Sequence, residues 1–421
     1  MLAAATKGVW EVLGPVWWLA VVGAAASLIA TPILRYLAYR LGVVDRPDAA
    51  LKTHGRTVAY LGGIAMCVGL LAGLACLVMA RTSLGPEWSE AFSTGERGVL
   101  AAAGGGNPLL QALAIALGGI IVTVVGLMDD LRDIRPRQKV AGQVLAAGVL
   151  LLGGVGHSLA GTLLHPLLGP LGLTMPIWVS LPISALACIV LVVAATNATN
   201  LLDGLDGLCG GVTGIIAVGF VALAVHLAMY NTAPGIDALR VGLSLAMAGA
   251  VIGFLPYNLP PATIFMGDAG SMLLGFFVAA MLMLFCEGEG GASTTPRWFV
   301  AAVAVFGLPI LDTALAVVRR ARAGRSIFHG DRSHLYDQLV DRGMTVKQVV
   351  VLFYLLAAVW AALGVAAAIY LRGRYAVAIY AVLIVVIAWV FARFGMISPP
   401  SSADQNGGAS SGGGAASGEP R

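Results

Sequence analysis

The sequence predicts an all-α, polytopic membrane helix bundle of about eleven transmembrane helices, on three observations. Mean hydropathy is +0.90. Apolar residues make up 59% of the 421, against about 45–50% in a soluble domain. Apolar runs of about 20 residues, the length that crosses a bilayer, recur along the chain. Charged residues are only 11% of the total, so the places where they gather carry information.

Taken in order, spans are expected at 14–36, 61–80, 109–128, 137–156, 176–195, 208–230, 238–257, 269–286, 298–318, 348–371 and 375–395. The first contains "PVWWLAVVGAAASLIATPIL", which is long and lacks a small-residue cleavage site, so it reads as an uncleaved anchor. A Gly- and Pro-rich stretch at 157–175 separates the fourth span from the fifth. The membrane domain is expected over 1–396. Residues 397–421, rich in Gly, Ser and Ala, cannot bury apolar surface and are expected to be disordered. Cys67, Cys76, Cys188, Cys209 and Cys286 lie mostly in apolar stretches without CxxC spacing, as small apolar fillers. A net charge of +4 with no basic stripe excludes a nucleic-acid partner.

Orientation follows from the basic residues. By parity, the loops after spans 1, 3, 5, 7 and 9, with the C-terminal tail, hold 18 of the 25 Lys and Arg. Basic loops favour the cytoplasm, so these are expected to be cytoplasmic and the N-terminus outside. Five polar clusters then fall on that one face: "DRPDAALKTHGR" at 45–56, "DDLRDIRPRQK" at 129–139, "NATNLLDGLDG" at 197–207, "YNLPPATIFMGDAGS" at 257–271 and "RRARAGRSIFHGDRSHLYDQLVDRG" at 319–343. Their agreement predicts one composite site at the inner membrane surface.

The chemistry comes from the residue types. Asp129 and Asp133 are i,i+4 and Asp130 and Asp133 i,i+3, so on a helix the three acids share a face. Such a cluster repels itself unless a cation sits within it, and hard oxygen donors suit Mg²⁺ or Mn²⁺. The competing reading is a solvated acidic loop beside Arg132, Arg135 and Arg137. Asn197, Asn200, Asp203 and Asp206 recur every third residue; the drift of about 60° per step lets only two or three share a helix face. Gly204 and Gly207 there suggest a bent path, and capping explains one or two of the polar residues. Asp268, between Gly267 and Gly270, stands where helix amides could approach an anion, or is itself a cap. His329 and His334 lie in an Arg-rich loop where phosphate charge would be accommodated. Metal-binding acids, amides and arginines at a membrane surface point to phosphate or pyrophosphate chemistry.

At these residues the chain resembles the polyprenyl-phosphate N-acetylhexosamine-1-phosphate transferases. The shared motifs occur in order: Lys52-x-His54 before "LGG", "DDLRD…P…K…Q" from Asp129 to Gln143, "NATNLLDGLDG", "FMGDAGS", and "PILDT…RR" leading to "DRSHL". The resemblance implies transfer of a sugar-1-phosphate from a UDP-N-acetylhexosamine to a polyprenyl phosphate, releasing UMP, as the first membrane step of a cell-envelope glycan pathway. It implies that Mg²⁺ (Mn²⁺ as substitute) is held by Asp268 with Asn200. It implies a catalytic role for Asp129, Asp130 and Asp268. Substrate contacts are implied for Lys52, His54, Lys139, Asn197, Asp203, Asp206, Asn258, Phe265, Arg325, His329, Arg332 and His334. A plasma-membrane homodimer is implied as well. The chain departs from the family pattern at Ala59, where a Pro usually precedes "GG", and at "HLYD" (334–337), where the pattern is "HLHH". The missing triple His argues against the muramoyl-pentapeptide branch, so N-acetylglucosamine is the expected sugar. The rival readings are the same chemistry with another UDP-N-acetylhexosamine, a transporter, whose polar groups would lie near the midplane in repeated halves, and a catalytically silent relative.

Overall fold

A computed structural model describes residues 5–45, 57–80, 107–173, 175–230, 233–288, 296–322, 324 and 334–371, with isolated positions 382, 385, 389 and 393. It is a helix bundle: α1 (Val9–Leu13), α2 (Trp18–Leu41), α3 (Gly62–Met79), α4 (Pro108–Arg132), α5 (Pro136–Leu152), α6 (Leu159–Leu168), α7 (Ile177–Leu202), α8 (Leu208–Ala228), α9 (Pro234–Asn258), α10 (Gly267–Leu284), α11 (Pro296–Val305), α12 (Gly307–Arg322), α13 (Leu335–Asp341) and α14 (Val346–Tyr370). Among the described residues, eight helices are long and apolar enough to cross a bilayer, nine if the α11–α12 pair, bent by 71°, counts as one span.

Ten of the eleven expected spans overlap helices among the described residues. The expected span at 137–156 is the 17-residue α5, whose first turn carries Arg137 and Lys139 and belongs to the site. The expected straight span at 298–318 is broken beside Gly307 and Pro309, the residue types that kink helices. The short α6 occupies the Gly- and Pro-rich stretch, where no helix was expected. The span at 375–395 and the tail lie outside the described residues, apart from the isolated positions.

Local chemistry sets the helix ends. Asn107 caps α4 by accepting from the Leu109 N–H at 2.8 Å, with Pro108 in the first turn. Thr345 caps α14 in a reciprocal pair with Gln348. Gly42 ends α2 at φ +73°, a conformation that costs glycine nothing.

Helices α9 and α10 form the middle of the bundle, 89% buried over their apolar windows, whereas α2 and α7 are only 22% and 17% buried and face outward. Against α9 pack α2, α3 and α8; against α10 pack α4 and α7; α14 covers α8 and α11. Small residues allow the closest approach: a Cβ added at Gly249 or Gly253 would stand 2.1 or 2.2 Å from the Ala20 or Ala24 carbonyl of α2. At one end a two-stranded antiparallel ribbon, β1 (Val44–Asp45) with β2 (Val58–Ala59), bridges to Ile264. Phe265 N–H donates to Ala59 O at 2.8 Å, and Gly62 and Gly63 N–H donate to Phe265 and Met266 O at 3.0 and 2.9 Å. These bonds fix the "FMGD" segment before α10 begins.

The opposite end holds a second polar group, fully buried. Arg240 donates to Asp237 and to the Leu284 and Glu287 carbonyls. Glu287 accepts from Gly156 N–H and Gln111 Nε2. It ties the far ends of α4, α9 and α10 together.

Candidate active site

Four of the five polar clusters contribute described residues to the ribbon end. Asp130, in the last turn of α4, turns both carboxylate oxygens onto the start of α10: Oδ1 accepts from Asp268 N–H at 2.8 Å and Oδ2 from Ala269 N–H at 3.1 Å. The anion expected at this helix N-terminus is thus one of the protein's own carboxylates, satisfying two donors that the helix cannot. Gly267 makes this possible. Its φ is +65°, and a Cβ there would lie 2.5 Å from Asp130 Oδ2.

Lys139, from the first turn of α5, bridges the acids. Its Nζ lies 2.8 Å from Asp129 Oδ2 and also bonds Asp268 Oδ2. Asn200, in the last turn of α7, donates to Asp268 Oδ1 at 2.7 Å and to Ser271 Oγ at 3.0 Å. Two carboxylates, an ammonium and an amide from α4, α5, α7 and α10 therefore form one contiguous group. Asp133 does not join it. That residue terminates α4 in a left-handed conformation, φ +49°, and is exposed, so the shared face expected of three acids holds only two.

Beside this group opens a cavity of about 910 Å³. Among the described residues its wall includes Asp45, Asp130, Asp203, Asp206 and Asp268, the aromatics Tyr60 and Phe265, and one cation, Lys347. The Asn/Asp ladder splits as its spacing suggested. Asn197 and Asn200 end α7, and Asp203 and Asp206 sit in the following turn. Asp206 Oδ2 accepts from Ala262 N–H at 2.9 Å. Among the described residues, the Asp203 carboxylate has no hydrogen-bond donor. Burial, with the charges of Asp268, Asp130 and Asp206, pushes it well above the usual carboxylate range. Burial and the nearby carboxylates likewise hold the Tyr60 phenol protonated. Tyr60 and Phe265 rings pair at 5.9 Å.

The other expected site residues stand as follows. Asn258 lines the cavity and is buried, its Oδ1 accepting from Gly207 N–H at 3.1 Å and its Nδ2 donating to Ile264 O at 3.0 Å, so it staples two loops of the wall. Asn197 lies one turn before Asn200 and donates to Gln143 Oε1 at 3.2 Å. His334 is 3% exposed, its Nδ1 2.9 Å from Asp312 Oδ2, and it does not line the cavity. Lys52, His54, Arg325, His329 and Arg332 lie outside the described residues. Sequence reasoning did not single out Asp45, Tyr60, Thr345 or Lys347 as cavity residues. The segment starting at Asp45 was visible as a polar cluster, but nothing distinguished Tyr60, Thr345 or Lys347.

This donor set fits a divalent cation carried with phosphate oxygens. It offers hard oxygen ligands at Asp268 and Asn200, and an acid-rich wall whose repulsion, evident at Asp203, such a cation would offset.

The fold and the site define a polytopic membrane protein with an acid-walled cavity at the ribbon end of the bundle. Comparison with known proteins agrees. Residues 112–286 match glycosyl transferase family 4. Over 372 residues, 86% of this chain and 85% of the relative, it is 34% identical to the decaprenyl-phosphate N-acetylglucosaminephosphotransferase of Mycobacterium tuberculosis. It is 30% identical over 360 residues to the undecaprenyl-phosphate alpha-N-acetylglucosaminyl 1-phosphate transferase of Haemophilus influenzae, covering 84% of this chain and 86% of the relative. It is 27% identical over 337 residues, 80% of each chain, to a probable undecaprenyl-phosphate N-acetylglucosaminyl 1-phosphate transferase of Bacillus subtilis. The chain belongs to glycosyl transferase family 4, among its polyprenyl-phosphate N-acetylhexosamine-1-phosphate transferases.

Proposed function

We propose that this protein transfers N-acetylglucosamine-1-phosphate from UDP-N-acetylglucosamine to a polyprenyl phosphate, giving polyprenyl-diphosphate-N-acetylglucosamine and UMP. The observation that carries the reading is the Asp129–Lys139–Asp268–Asn200 group standing at the edge of an acid-walled cavity. Its relatives' names supply the acceptor lipid and the sugar. The cavity lies on the cytoplasmic face of the plasma membrane, with the N-terminus outside, because the basic loops cluster on its side.

In the reaction an oxygen of the lipid phosphate attacks the β-phosphorus of the nucleotide sugar. The bond from that phosphorus to the α–β bridging oxygen breaks, and UMP leaves with the electron pair. Asp268 and Asn200 would hold Mg²⁺, which when bound neutralises pyrophosphate charge. A lipid phosphate with a second pKa near 6 is largely dianionic at neutral pH and needs no general base. In this reading Asp130 orients Asp268 through the α10 amides it accepts from, and Asp129 holds Lys139. Lys139 offsets charge beside the reacting phosphates. Phe265 and Tyr60 offer the nucleotide base an aromatic wall.

The test is transfer of radiolabelled N-acetylglucosamine to undecaprenyl phosphate by purified protein, with Mg²⁺ and with EDTA, beside Asp268→Ala. Metal-dependent product that the variant cannot make supports the reading; no product from any UDP-N-acetylhexosamine refutes it.

A further inference from the structure

The turn that presents Asp203 and Asp206 is gripped from outside by two tyrosines of the C-terminal third. Tyr336, on α13, donates its hydroxyl to Leu201 O at 3.0 Å, in the last turn of α7. Tyr354, on α14, donates to Gly207 O at 2.7 Å, the residue before α8. The two bonds fall on either side of residues 202–206. The Tyr336 bond satisfies a carbonyl of the last helical turn, and the Tyr354 bond is a second one to Gly207 O, which also accepts from Gly211 N–H at 3.0 Å.

The chain is shaped around these rings. A Cβ at Gly204 would lie 2.1 Å from the Tyr336 hydroxyl, and one at Gly211 would lie 2.0 Å from the Tyr354 ring. Tyr336 is itself fixed. Its ring stacks on His334 at 5.4 Å with 7° between planes and meets Phe353 edge-on at 6.4 Å. The start of α13 is anchored by Asp312 of α12, whose Oδ1 accepts from Leu335 N–H and whose Oδ2 pairs with His334, both at 2.9 Å. A continuous line of contacts thus runs from Asp312 through His334 and Tyr336 to the acid-bearing turn. Tyr336 is one of the positions where "HLYD" departs from "HLHH".

We propose that Tyr336 and Tyr354 are positioning residues that clamp the 202–206 turn, setting Asp203 and Asp206 against the cavity and so tuning affinity for the nucleotide sugar. The inference rests on the cavity being the donor site. Neither tyrosine hydroxyl reaches into the cavity, so the effect travels through the turn.

Tyr336→Phe and Tyr354→Phe each delete one hydroxyl and keep the ring. Two measurements on the full-length protein in nanodiscs separate the claims. Hydrogen exchange of the 200–208 amides without ligand needs no activity. Both variants are expected to exchange faster there and to match wild type in α9 and α10. Steady-state transfer should then show KM for UDP-N-acetylglucosamine raised about five-fold per lost bond, at about 1 kcal/mol each. KM for the lipid phosphate should stay within two-fold. Unchanged exchange in the turn overturns the clamp, as does an equal rise in both KM values or a fall in kcat alone. A wild-type protein that transfers nothing overturns the proposed function instead, and the exchange result still decides whether the turn is clamped.

Discussion

Replacing Lys139 with Met removes the cation that, among the described residues, bridges Asp129 and Asp268, while keeping most of the side-chain volume. Its Nζ lies 2.8 Å from Asp129 and bonds Asp268 as well, with the three side chains 17%, 16% and 26% exposed. Exposed ion pairs contribute about 0–1 kcal/mol, and breaking a buried one costs about 3–5 kcal/mol. A group this far from bulk water falls between, so Lys139→Met is expected to lose about 2–3 kcal/mol of stability. Most of that loss is repulsion between two stranded carboxylates. Asp129→Asn should therefore restore part of it, and the double variant should lie about 1–2 kcal/mol above the sum of the singles. The assay is reversible SDS unfolding of the purified protein, followed by circular dichroism, for wild type, both singles and the double. A Lys139→Met midpoint within error of wild type, or strictly additive singles, would refute the claim that Lys139 is what makes this acid cluster tolerable.

Three further outcomes follow from the same geometry. Gly267→Ala forces a Cβ onto Asp130 at a positive φ, which costs about 1–2 kcal/mol before the clash. It should cut transfer at least ten-fold with overall helicity intact, read by the label assay and circular dichroism. Gly249→Val wedges α2 from α9 and should destabilise the bundle to SDS by about 2 kcal/mol or more. Burial of Glu287 pushes its carboxyl up to about 7, so between pH 4.5 and 7 the folded state keeps a proton that the unfolded chain has lost. Stability should fall across that window by up to about 3 kcal/mol and level off above it. Glu287→Gln should remove that slope in unfolding midpoints measured from pH 5 to 8.

Much of the site was legible because charge is scarce in a lipid-soluble sequence. Five polar clusters on alternate loops predicted one composite surface, and described members of four of them line one cavity at the ribbon end, whereas none from 319–343 does. The three-residue spacing of Asn197, Asn200, Asp203 and Asp206, with Gly204 and Gly207, foretold a ladder that leaves its helix partway. What could not be read locally depends on long-range contact. That Asp130 caps α10 requires residues 138 apart to meet, and periodicity within α4 says nothing of it. Asp133 was placed with its neighbours on helical spacing, but the left-handed end of α4 turns it away. The 71° break beside "FGLP" left a mark in the Gly and Pro, yet the apolar run through 298–318 masked it. Tyr336 looked like a departure from a pattern until its hydroxyl was found on the Leu201 carbonyl.

The central claim is that a phosphoryl-sugar unit moves, and the fate of the β-phosphate tests it most directly. UDP-N-acetylglucosamine carrying ³²P only at the β position would be incubated with the purified protein, undecaprenyl phosphate and Mg²⁺, and the lipid and aqueous fractions separated. The account predicts ³²P in the lipid fraction, one per sugar transferred, with unlabelled UMP in the water. Sugar in the lipid with ³²P left behind in UDP would mean that the cavity transfers sugar alone, and would contradict it.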